Sequence, residues 1–199
     1  MAPTHAQTLI ALAALREVLA IEGLTVAERT MLRQVEHIAR VGHTTVLTAI
    51  RPRELAAVFE SPEERRRLVR LLVLGALADG RVSGRELAWV RQVASAVRVD
   101  DVSIEVLSAL RCEAYADARA RLLSAPVHEL VREGWALGGA TGAVGVGAVW
   151  ALLAAARWLQ RLGLPPVRVI PPTGEVLSCL RPWLRRMIDA PEPGRLMPA

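Results

Sequence analysis

The sequence predicts an all-α protein. Apolar residues recur at helical spacing along most of the first 125 positions. Ser or Thr stands ahead of many of these runs, with Gln or Glu three residues later, the pattern of a reciprocal helix cap. Aromatic residues make up only 4% of the chain, so the core must be built from Ala, Leu and Val, the side chains of helix–helix interfaces. The expected architecture is a compact helical domain of two pseudo-repeated helical hairpins over 1–125. A Gly/Ala-rich apolar helix over 126–160 and an irregular Pro/Arg-rich tail over 161–199 follow.

Residues 5–22 place Leu9, Leu12, Leu15, Val18 and Leu19 at helical spacing, with Thr4 and Gln7 as the cap and Gly23 as the stop. Thr25 and Glu28 open a second helix that runs to about Val41, with Met31, Leu32, Val35 and Ile38 on one face. Residues 43–60 read as a short helical pair, with Pro52 in a first turn. Ser61-Pro62-Glu63-Glu64 combines a cap, a proline suited to the first helical position and a closing acid. The helix it starts is apolar on most sides after Arg70, which predicts a central position. Asp79-Gly80-Arg81-Val82 is a turn. Ser83 and Glu86 cap the next helix, to about Arg98, and Asp100-Asp101 precede one expected to span 102–123.

All 25 basic residues are Arg, and the formal net charge is +5. The charges interleave with acids, the pattern of solvated helix faces. Arg65-Arg66-Arg67 with Arg70 is the densest basic run, and no aromatic residues interleave with it. A solvated face is expected there, and no nucleic-acid partner. Cys112 and Cys179 stand far apart, which excludes a disulfide framework or a zinc knuckle, and Cys112 is expected to be an inert, partly buried thiol. His5, His37, His43 and His128 are scattered without ligand spacing. No nucleophile elbow, phosphate loop or acid–base set is present, so a non-catalytic protein without an organic cofactor is expected. The N-terminus lacks a basic, apolar leader pattern, which predicts a cytoplasmic location.

Residues 134–156 carry no charge, and Gly134, Gly138 and Gly142 recur every four residues. That spacing suits close helix packing, and the length suits a bilayer span. Trp135, Trp150 and Trp158 with flanking Arg132 and Arg157 favour membrane association; eight Ala and six Gly among these 23 residues weaken it. A close-packed soluble helix and a poorly ordered segment are the alternatives. A homo-oligomer formed through the glycine face belongs with the membrane reading.

Two stretches align: Glu22-Gly23-Leu24-Thr25-Val26-Ala27-Glu28, and, one residue longer, Asp79-Gly80-Arg81-Val82-Ser83-Gly84-Arg85-Glu86. Each is an acid-Gly corner, an apolar residue, a Ser/Thr cap and a Glu three residues on. The second copy, with Leu72-Val73-Leu74-Gly75-Ala76-Leu77-Ala78 before it, resembles the TerB-like family of tellurite-resistance and co-chaperone domains. Ile50-Arg51-Pro52 and Ser61-Pro62-Glu63 also resemble the family's linker, and the resemblance covers roughly residues 8–123. It implies an all-helical, stress-associated scaffold or co-chaperone-type module that binds a protein partner. It further implies divalent metal (calcium, manganese or zinc) at Asp79 and Glu86, with Glu22 and Glu28 from the first copy. Hard cations take several converging carboxylate oxygens, which these positions would supply if the hairpins face each other. Read from local chemistry alone, Thr25/Glu28 and Ser83/Glu86 are reciprocal caps and Asp79 is a turn acid.

Overall fold

The computed structural model describes residues 4–39, 41, 50–126, 128, 129, 131, 146, 147, 149–155, 157 and 180–191. All regular structure among them is helical. The chain divides into two compact units, Met1–Leu107 and Ser108–Ala199.

The first unit holds α1 (His5–Ala20), α2 (Val26–Ile38), α3 (Pro52–Val58), α4 (Pro62–Ala76) and α5 (Gly84–Ala96), and α6 (Val102–Arg111) begins in it. Helix α4 packs on α1 and α5, α1 also packs on α2 and α5, and α3 packs on α5. The core draws Leu12, Leu15, Val18 and Leu19 from α1, Leu68, Val69, Leu72 and Val73 from α4, and Leu87, Val90 and Val93 from α5. The central position expected of the post-Arg70 stretch is therefore realised. Gly75 is what permits the close approach. A Cβ there would lie 2.7 Å from Leu15 Cδ1 and 3.1 Å from Val18 Cγ1.

Four capping boxes form where the sequence places them, at Thr4/Gln7, Thr25/Glu28, Ser61/Glu64 and Ser83/Glu86. Each satisfies two of the amides that a helix start leaves orphaned. Of the short helical pair expected over 43–60, the second member is α3; residues 42–49 lie outside the described residues.

The arginine run is not simply a solvated face. Arg65 Nε donates to Phe59 O (2.6 Å) and its Nη1 to Val97 O (3.4 Å). Arg70 pairs with Asp101, whose side chain is 3% exposed, through Nη2 at 2.9 Å and Nε at 3.0 Å. These guanidiniums staple α4 to the end of α5 and the start of α6, because a long side chain on a central helix can reach chain ends that fold back beside it.

The single helix expected over 102–123 is broken. Helix α6 ends at Arg111, and α7 (Tyr115–Ser124) starts anew. Glu113 adopts φ +57°. Its N–H donates to Leu110 O (3.1 Å), and Ala114 N–H donates to Ala109 O (2.9 Å). This paired closure is a Schellman motif with Glu in place of the usual Gly, so no glycine marks it in the sequence. Arg98, at φ +55°, ends α5 the same way, with bonds to Ser95 O and from Val99 to Ala94 O. Cys112 falls in the break and is exposed, not partly buried as expected.

The second unit contains α7 and a helix inside the proline-rich tail, α8 (Arg181–Asp189). Pro182 lies in its first turn, where a missing N–H costs nothing. Trp183, Leu184, Met187 and Ile188 are buried, and α8 packs on α7. Arg119 of α7 is 1% exposed, and its Nη1 donates to Met187 O (3.0 Å) and Ile188 O (3.4 Å), carbonyls in the last turn of α8. Arg186 stacks over Trp183 and Tyr115, 5.2 and 5.9 Å from the ring centroids. Gly134, Gly138 and Gly142 lie outside the described residues. Among those described, no helix is long and apolar enough to cross a membrane.

Candidate functional site

The two acid-Gly corners are built alike, from the glycine onward. Gly23 (φ +91°) and Gly80 (φ +81°) close α1 and α4 with N–H bonds to Ala20 O and Leu77 O, each 3.2 Å. A side chain would be strained at that φ, so glycine ends both helices. After each corner a hydroxyl caps the next helix. Thr25 N–H donates to Glu28 Oε2 at 2.7 Å, and Ser83 N–H to Glu86 Oε2 at 2.7 Å. In return Glu28 N–H donates to Thr25 Oγ1 (3.3 Å) and Glu86 N–H to Ser83 Oγ (3.1 Å). Local cap chemistry thus accounts for both glutamates, each cap contributing about 1 kcal/mol.

Capping does not require burial, yet both glutamates are buried, Glu28 at 4% and Glu86 at 5% exposure. Burial pushes the Glu86 carboxyl above the ordinary carboxylate range, and the negative charges of Asp79 and Glu28 push the same way; the Ser83 hydrogen bonds oppose them. The first corner's Glu28 is thus among the charges that raise Glu86. Neither Glu28 nor Glu86 is ion-paired among the described residues.

The other two acids differ. Asp79 is exposed, and its Oδ1 accepts from Arg81 N–H (2.9 Å), a turn-acid arrangement. Glu22 is exposed. Glu28 and Asp79 thus each act electrostatically on Glu86, while Glu22 stays at the surface. Among the described residues, no three His, Cys, Asp or Glu side chains group closely enough to hold a metal ion.

One feature was not singled out from the sequence. A cavity of about 470 Å³ is bordered by Arg29, Leu32, Arg33 and Glu36 of α2. Its signal in the sequence is the i, i+4 spacing of Arg29 and Arg33 off the apolar face of that helix.

The family comparison agrees with the all-helical fold. A family model, that of tellurite resistance protein TerB, matches residues 13–109. No curated protein and no solved structure matches the chain. The matched stretch takes in both acid-Gly corners and helices α2 to α5, together with the second half of α1 and most of α6. Residues 13–109 are therefore a TerB-like domain, the part of the chain that the family model covers.

Proposed function

We propose that the chain is a non-catalytic, stress-associated scaffold or co-chaperone-type module that presents a helical surface to a protein partner, tuned by a divalent cation at its paired corners. The observation that supports this is the burial of Glu28 and Glu86 within each other's field without a paired cation. Buried carboxylates of like charge are costly unless a proton or a cation compensates. Their oxygens are the hard donors that calcium or manganese takes. A cation would be held by Glu28 and Glu86, with Asp79 outside the ligand set and adding only to the negative field. Two protein carboxylates fall short of a complete shell, so water would supply the rest. What the ion supplies there is charge neutralisation between the two hairpins, fixing the angle at which they present their outer faces.

The test is calorimetric titration of the full chain with calcium, manganese and zinc. Binding heat that Glu28→Gln with Glu86→Gln abolishes, and Glu22→Gln leaves intact, supports the reading. Absence of heat with all three ions overturns the cation role. The alternative, a membrane-associated protein that oligomerises through Gly134, Gly138 and Gly142, is separated by fractionation of the intact chain. Recovery as a monomer without detergent would exclude it.

A further inference from the structure

We infer that the outer face of α2 is a docking face for an acidic segment of a protein partner. This rests on the partner-binding reading above and names the surface and the chemistry. Val26, Arg29, Thr30, Arg33 and His37 fall within roughly 100° of arc on α2, and all are exposed. Val26 is 74% exposed, a large apolar side chain standing in water at the start of this stripe. Arg29, Arg33 and His37 follow at intervals of four, so each stands one turn from the next.

Arg29 and Arg33 carry like charge and repel at that spacing, and among the described residues neither is ion-paired. Arg29 makes a single bond, from Nε to the Thr25 carbonyl at 3.4 Å, which neutralises no charge. Among the described residues, Arg33 has no hydrogen-bonding or ionic partner. The same two guanidiniums border the cavity of about 470 Å³, with Leu32 beside them and Glu36 further along the helix. Arginines of α4 differ in being used internally: Arg65 on two carbonyls, Arg67 on Glu63, Arg70 on Asp101. An unneutralised basic pair beside a cavity, with an exposed valine a turn away, is complementary to a peptide bearing carboxylates one turn apart next to an apolar residue. A lipid surface is the poorer match. The stripe carries two permanent cations, fewer than an anionic bilayer requires, and a single exposed apolar side chain.

The experiment uses the isotope-labelled full chain and a synthetic peptide with glutamates four residues apart around a leucine. Its glutamine counterpart and phosphatidylserine vesicles serve as competing probes. The expected result is amide shifts concentrated at residues 26–37, affinity that falls with added salt, and a loss of about tenfold in R29Q/R33Q. Both arginines are exposed, so the variant should melt as the parent does; R29K/R33K, which keeps the charge, should retain most of the binding. Equal affinity in R29Q/R33Q, shifts centred elsewhere, equal binding of the glutamine peptide, or vesicle binding in place of peptide binding overturns the inference. Cation heat at the corners without peptide binding overturns this face alone. Loss of both overturns the reading beneath it.

Discussion

Gly75 and Glu86 illustrate what single residues decide here. Inside an ordinary helix, Gly→Ala would gain about 1 kcal/mol from propensity. At position 75 the new methyl meets Leu15 and Val18, both fully buried in α1. G75A should therefore destabilise the chain by about 1–3 kcal/mol, read as a lower midpoint in urea. Glu86 differs in that its neighbours act through charge. Its capping role is visible in the Ser83–Glu86 spacing, because a cap is closed by residues three apart. Its burial is not, because that depends on which helices pack against α5. Glu86→Gln keeps an oxygen for the Ser83 amide and removes the buried charge. It should hold or raise stability at neutral pH while abolishing any cation binding at the corners, a combination that calorimetry and urea melts measure together.

At the scale of elements, the helix starts were legible and the helix ends were less so. Starts carry side-chain signals: Thr25 with Glu28, Ser61 with Pro62 and Glu64, Ser83 with Glu86. The ends at Arg98 and Glu113 are closed by backbone bonds through residues in the left-handed region, and neither residue announces that conformation. Hence one long helix was expected where α6 and α7 lie. Because the two corner caps are matched in geometry, Thr25→Ala and Ser83→Ala should each cost about 1 kcal/mol, within error of each other in denaturant melts. Helix α8 was hidden by the prolines around it, although the island Cys179–Arg186 stood out as apolar and basic. Its anchor is the buried Arg119, far away in sequence. Arg119→Met should leave the Met187 and Ile188 carbonyls without that donor and cost about 1–3 kcal/mol. Hydrogen exchange should show faster exchange of the amides across 181–189.

For the molecule as a whole, two carboxylates pull stability in opposite directions with pH. Burial alone would raise the Asp101 pKa, but hydrogen bonds from Ser103 and Arg70, with the charge of Arg70, outweigh it and hold the group below 3.8. Asp101 therefore contributes stability above 3.8 that is lost as pH falls through its lower folded value. Glu86 is raised above 4.5, so the folded state keeps its proton longer than the unfolded chain does. Its contribution is adverse once pH climbs from 4.5 through the raised folded value. Urea midpoints across the acid range should rise and then decline. E86Q should remove the decline. D101N should flatten the acid limb and cost about 1–3 kcal/mol near neutrality, by weakening the Arg70 contact.

By itself the sequence determined the helical class, the four capped starts, the two glycine corners and the kinship they carry, because each of these is written in residues at most a few positions apart. Tertiary structure alone decided that Glu28 and Glu86 are buried in one another's field, that Gly75 admits α1 against α4, that Arg70 and Arg119 turn inward, and that Arg29 and Arg33 border a cavity. Those outcomes depend on which distant segments meet. The short-range spacing that fixes a cap or a turn carries no information about the partner across the core.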